Sequence, residues 1–284
     1  MRWIVGIDRL EHTLGAPQLA RWLAMRAAPK LELFAVHVVE HTKTSAKIGE
    51  GIAGIVDAAR ETLRAALATA CDGATFDAVD IVLAPDASHG LATVASREGA
   101  DGILVDRRAD RIGHGLVRLG RVARNLLRTL PVPVLVVPHD LAAVQIGAGP
   151  IVVATDLGPA SVPAMRFAGK LASQLGRPLT ALHVSPGLDP FPSFYGEGVN
   201  IPVSEHRGVA EVEQWMRAHE LAAADVGVLE GSVVEAIIAE ARRIEAPMIV
   251  CGTEHLSPLV RLFSASVAGD LARLADRAVL VVPG

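Results

Sequence analysis

The sequence predicts an α/β protein: two tandem, doubly wound parallel-sheet domains of Rossmann-like type that pair as an internal pseudo-dimer. Three observations predict it. First, the chain repeats itself at a spacing of 145–148 residues, and self-similarity of this kind marks duplicated structural units. Second, the repeated runs are four to six residues rich in Val, Ile and Leu without polar alternation, which suits strands covered on both faces and hence a parallel sheet flanked by helices. Third, the stretches between them carry apolar residues at helical spacing.

In chain order, Ile4-Val5-Gly6-Ile7-Asp8 opens the first copy and returns as Val152-Val153-Ala154-Thr155-Asp156. The second run, Leu33-Phe34-Ala35-Val36-His37-Val38, returns as Leu179-Thr180-Ala181-Leu182-His183-Val184. Residues 100–105 match 246–251, and 133–138 match 278–283. After the first strand of each copy, 17–28 and 163–175 read as helices, with Ser161 as an N-cap two residues before Pro163. Segments 52–69 and 209–219 are the second helices. Gly231-Ser232 opens another over 233–245, whose apolar residues at 233, 234, 237, 238, 241 and 244 form one face. Each copy reads β-α-β-α-β-α-β-α-β, and right-handed crossovers place the ligand crevice of such a sheet at the carboxyl ends of its strands.

The last run of the first copy is bracketed by Pro131, Pro133 and Pro138. Proline is tolerated at a sheet edge, and an exposed edge invites pairing. Residues 134–137 and 279–282 are therefore expected to pair with each other. The domains are expected at 1–140 and 150–284, joined by a short Gly-containing linker over 141–149.

Composition limits the function classes. A chain of 284 residues corresponds to about two domains, and 51% hydrophobic residues supply two cores. No run of 18 or more uncharged apolar residues occurs and MRWIVGIDRL lacks a signal-peptide layout, so a soluble, cytoplasmic protein with no membrane partner is expected. A net charge of −4 is too mild to announce nucleic acid. Cys71 and Cys251 read as buried thiols rather than a disulfide or a metal site, and no metal is expected.

The stretch 248–267, MIVCGTEHLSPLVRLFSASV, is an apolar run, a turn at Gly252, a loop and a small-residue segment that opens a helix. A strand ending at glycine and feeding a helix N-terminus presents backbone N–H groups to a phosphate. The order of strands, the Asp that ends the first, the His-Val that ends the second, the run AP-MIVCGT and the closing AVLVVP resemble the universal stress protein family in its tandem form, over nearly the whole chain. The resemblance implies an adenine-nucleotide α-hydrolase-like fold, ATP as ligand, and a G-x2-G-x9-G-[ST] motif after the fourth strand. In the second copy Gly252 and Ser266 match that motif, while His255 and Ala265 stand where glycines belong. By resemblance, Asp156 and the backbone of Val184 face adenine and ribose. Gly252, Thr253, Ala265 and the N–H groups of Ser266 and Val267 line the phosphates. His255 either blocks the phosphates or, protonated, pairs with them.

The first copy departs further. Asp106 or Arg107 replaces the first motif glycine and Ala109 or Asp110 the second; Gly120 survives, and Arg121 takes the Ser/Thr place. The run 107–128 holds seven arginines and one acid. Its Arg118 and Arg121 are candidate anion ligands, or members of a solvated helix face made by 118, 121, 124 and 128. His37-Val38-Val39-Glu40-His41 spells H-x-x-E-H, but that motif needs a helix, and 33–39 reads as a strand. His37 and His183 read as half-buried structural histidines. The HIGH-like 111–114 follows the fourth strand rather than the first. The aromatic segment 187–202 is a loop that either tucks a Phe into the core or lines an apolar site or a dimer contact.

No nucleophile, base and carboxylate stand in a recognisable register. The expected function is a non-catalytic universal stress protein that senses or binds adenine nucleotide in its second domain. The alternative is a nucleotide-free interaction module, or one that binds a small apolar ligand. A homodimer beyond the internal pairing is left open.

Overall fold

The computed structural model describes residues 1–8, 15–40, 52–71, 75–107, 109–112, 116–185, 205–253 and 267–284, with 52–55, 109–112, 116–118 and 205–207 described by backbone alone. The first half runs β1 (Arg2–Gly6), α1 (Gly15–Arg26), β2 (Glu32–Glu40), α2 (Ile52–Cys71), β3 (Ala78–Ala84), α3 (Ala87–Arg97) and β4 (Gly102–Arg107). A small antiparallel pair, β5 (Ala109–Ile112) and β6 (Leu116–Leu119), then precedes α4 (Arg121–Thr129) and β7 (Val134–Pro138). Among the described residues the second half runs β8 (Ile151–Thr155), α5 (Ser161–Leu175), β9 (Leu179–Ser185), α6 (Glu205–Ala218), β10 (Asp225–Glu230), α7 (Val233–Arg243), β11 (Met248–Thr253), α8 (Val267–Leu274) and β12 (Ala278–Pro283).

All ten main strands form one sheet, in the order β10-β9-β8-β11-β12-β7-β4-β1-β2-β3. Every neighbour is parallel except at the centre, where β12 and β7 run antiparallel, with Val279 opposite Val136, Leu280 opposite Leu135 and Val281 opposite Val134. The expected pairing of 134–137 with 279–282 is therefore the seam of the pseudo-dimer. The prolines flank the ladder instead of interrupting it, so the strand keeps its donors where the other copy needs them.

The absence of alternation has its cause in two cores, one on each face. Trp3, Val5, Leu104, Leu135, Val153, Val250 and Leu280 pack with α1, α2, α5 and α6. Their neighbours Ile4, Ile103, Val105, Val134, Val152, Ile249 and Val279 pack with α3, α4, α7 and α8. Successive residues of a strand point to opposite faces, so both parities must be apolar.

Three local expectations are corrected. Ser161 is the first helical residue of α5, with Ala160 at the cap, and its hydroxyl donates to Asp156 Oδ1 at 2.8 Å. Helix α6 begins at Glu205, before the expected 209, because Gly208 lies within the helix rather than ending the loop. Arg118 lies on β6, so it shares no helix face with Arg121, Arg124 and Arg128; α4 starts at Arg121. The connection between halves is packed, not free: Gly149 N donates to Glu245 O at 2.9 Å, and a Cβ at Gly149 would stand 1.9 Å from Ile244 O.

Candidate functional site

In both halves the chain leaves its first strand to one side for the second and returns on the other for the fourth, giving β9-β8-β11 and β2-β1-β4. This reversal opens a crevice at the strands' carboxyl ends. In the second half it gathers Asp156, just past β8, Val184 near the end of β9, and Gly252 and Thr253 at the end of β11. Asp156 Oδ1 accepts the Gly158 N–H at 2.9 Å and the Ser161 hydroxyl at 2.8 Å, which fixes the turn into α5. Val184 is buried, its side chain in the core on the α7 and α8 face of the sheet. Gly252 has a local reason to be glycine: a Cβ there would lie 2.0 Å from the Ala160 carbonyl oxygen. Val267 opens α8 and is 41% exposed. His255, Ala265 and Ser266 lie outside the described residues, as do the aromatic segment 187–202 and His41.

The first-half crevice is a cleft of about 610 Å³ whose lining includes Asp8, His37, Glu40, Asp106 and Arg121. Strand register settles which residue replaces the motif glycine, because Asp106 stands opposite Val137 as Gly252 stands opposite Val282. The Asp106 carboxylate accepts the Ala16 N–H at 2.8 Å, at the start of α1. Arg121, first residue of α4, reaches across to Glu40 at the end of β2, where Nη2 donates to both carboxylate oxygens, at 2.6 Å for Oε2. Glu40 also accepts the Ala87 N–H at 3.0 Å. The Arg121 bond, then the Ala87 N–H, hold the Glu40 carboxyl below its ordinary pKa, and Glu40 raises that of Arg121. Arg121 is thus an ion-pair partner within the cleft. The side chain of Arg118 is not among those described.

The two histidines occupy matching positions. His37 Nδ1 lies 2.8 Å from Ile7 O and His183 Nδ1 2.9 Å from Thr155 O. A carbonyl only accepts, so Nδ1 carries the proton in both, and each ring ties the end of the second strand to the end of the first. Both cysteines are buried thiols, and burial pushes Cys251 up to about 12. Among the described residues no group of His, Cys, Asp and Glu could hold a metal ion, and no helix is long and apolar enough to cross a membrane.

Sequence reasoning weighed Glu40 only within the rejected H-x-x-E-H pattern and gave it no place in the crevice. A signal was present: where the first copy has Glu40 and Arg121, the second has Pro186 and Ser266, so cation and counter-ion stand together in one copy and neither stands in the other. It weighed Arg107 only as a replacement for the motif glycine and as part of a basic run, whereas its partners are backbone carbonyls of the other half, at Arg273 (2.9 Å) and Ala275 (2.5 Å).

This architecture defines a tandem doubly wound α/β protein with a ligand-type crevice in each half. The chain belongs to the universal stress protein family, whose family model matches residues 1–138 and 148–283. The stress response protein NhaX of Bacillus subtilis (strain 168) is 32% identical over 99 residues, 35% of this chain and 55% of that protein; the match spans about half the length of that curated relative. A universal stress protein from Archaeoglobus fulgidus DSM 4304 shares the fold at a TM-score of 0.72 and 20% identity, over 99% of this chain and 98% of that one. A functionally unknown protein of Pseudomonas aeruginosa PAO1 does so at 0.65 and 16%, over 99% and 92%. A stress-response role fits this family.

Proposed function

We propose that the protein is a non-catalytic, cytoplasmic stress-response protein that binds an adenine nucleotide, ATP by the motif, in the crevice of its second domain. On this reading residues 150–284 carry the nucleotide site, 1–140 is a domain with a degenerate motif, and 141–149 links them. One observation carries the reading: Asp156, the Val184 backbone, Gly252 and Thr253 converge at the carboxyl ends of three adjacent strands. In the first half the equivalent crevice has Asp106 for Gly252 and the Glu40–Arg121 pair at its rim. Carboxylates at those places oppose a triphosphate by like charge.

The test is denaturation of the purified protein followed by mass spectrometry of what is released, with calorimetric titration of ATP. Nucleotide at about one per chain is expected. Asp156→Asn keeps an acceptor for Gly158 and Ser161, so the fold should persist while affinity falls by about tenfold, the loss of one charge-assisted bond. No released nucleotide together with no ATP binding would leave the second reading, a nucleotide-free protein holding a small apolar ligand. That reading is favoured by the first-half cleft, where Ile7, Val36, Val38, Leu91, Val105 and Val122 supply apolar walls.

A further inference from the structure

We infer that Arg107 couples the two crevices: by gripping the tail of α8, it makes the state of the first-half crevice set where the head of α8 stands in the second. This regulation rests on the nucleotide reading above.

The argument starts from strand alternation. At the end of β4, Asp106 and Arg107 must point to opposite faces of the sheet. Asp106 goes to the α1 side, where it accepts the Ala16 N–H and lines the first cleft. Arg107 goes to the other side, where the antiparallel seam has brought α8 of the second half alongside. Its Nη1 donates to Arg273 O at 2.9 Å and Ala275 O at 2.5 Å, and lies 3.5 Å from Ala272 O. These are carbonyls that a helix end leaves without intrahelical donors, and a cation there also meets the negative end of the helix dipole. Arg107 is the clamp that holds this end of α8 down. Burial lowers its pKa, which the charges of Asp140 and Asp276 oppose, and its Nε is buried with no partner among the described residues. So buried a guanidinium has few alternative positions, and it follows the strand that carries it.

Helix α8 is eight residues long, or about 12 Å at 1.5 Å per residue. Its tail is at Arg107, and its head, Val267, is the repeat counterpart of Val122, which lines the first-half cleft at the head of α4; by that correspondence the head of α8 belongs to the second crevice. Movement of the β4 end, which a ligand contacting Asp106 would impose, is delivered to α8 as a rigid body. Among the described residues there is no matching reverse arm, because the residue in the place of Arg107 in the second half is Thr253, which carries no charge. Among the described residues the coupling therefore runs through Arg107 alone.

Hydrogen exchange of the whole protein, read over 267–274 and over β8 as a control, tests this beside ATP titration. Arg107→Met is expected to speed exchange over 267–274 and to weaken ATP about fivefold, the lower end of ordinary coupling between sites, with Arg107→Lys recovering most of both. Asp106→Asn should alter exchange over 267–274 when Arg107 is present and not in the Arg107→Met background. Additive effects of the two substitutions, or wild-type exchange over 267–274 in Arg107→Met, would overturn the coupling. A wild-type protein that binds no ATP sinks the nucleotide reading alone, since the exchange cycle between Asp106 and Arg107 still decides whether the two ends are linked. Loss of exchange protection equally over β8 would show Arg107 to be a stabilising residue only and would also overturn the inference.

Discussion

Glu40 and Arg121, 81 residues apart in the chain, close a two-point ion pair across the rim of the first-half cleft, with Arg121 Nη2 2.6 Å from Glu40 Oε2. Its energetic worth and its pH dependence have definite signs. The folded-state pKa of Glu40 is depressed, first by the Arg121 bond and then by the Ala87 N–H. A depressed carboxylate contributes stability that is fully present above its unfolded pKa, about 4.3, and is lost as pH falls through the lower folded value. Both side chains are more than a third exposed, so solvent screening keeps the contribution under about 1 kcal/mol. Glu40→Gln is expected to lower stability slightly in urea at pH 7 and to match the wild type at pH 2. A gap between the two that persisted at pH 2 would contradict the assignment.

Gly252→Ala is expected to cost about 1–3 kcal/mol, the range for overpacking. The added methyl would stand 2.0 Å from the Ala160 carbonyl oxygen, which is backbone at the start of α5 and cannot rotate away. The helix start would be pushed from β11, and Asp156, held to it through Ser161, would move too. Thermal unfolding should therefore fall together with ATP affinity. Unchanged stability would show that the motif glycine has no packing duty.

Cys251 and Cys71 are expected to resist a thiol reagent in the native protein at pH 8 and to react at once in denaturant. Only the thiolate attacks, and at a pKa of about 12 Cys251 is almost wholly protonated at pH 8, besides being buried beneath α7 and α8. Rapid native modification at either position, measured by counting adducts in the intact mass, would contradict the described core.

The fold was legible because its strands are buried on both faces. Neither parity could turn polar, so Ile4–Val5 and Val152–Val153 stayed recognisable as copies, and the prolines around 134–138 pointed to the seam. Less was legible where the partner of a residue is remote or is backbone. Glu40 announces nothing by itself, and its pairing with Arg121 shows only when both are set against Pro186 and Ser266. Arg107 looked like one more arginine in a basic run, since carbonyl oxygens of the other half leave no residue-type signature. The pair β5–β6 was hidden because its stretch, 109–119, is broken by Asp110, Arg111 and Arg118 and lacks the apolar run by which the other strands were found. Ser161 looked like a cap because Pro163 follows it, yet the Asp156 carboxylate claims its hydroxyl and draws it into the first turn.

The seam makes the strongest energetic claim. Leu135 and Leu280 face each other where β7 and β12 run antiparallel, and both are fully buried. Leu280→Ala removes several methyl and methylene contacts from a site that lies between two rigid half-sheets and cannot collapse, so a cost of about 2–5 kcal/mol is expected. The ladder joins the halves into one sheet, and helices of both contribute to each core. The loss should therefore appear as one cooperative transition moved to lower denaturant, followed equally by Trp3 in the first half and Trp215 in the second. Two separated transitions, with only the second-half probe shifted, would mean that the halves fold as independent domains that merely touch along Val134–Val136 and Val279–Val281.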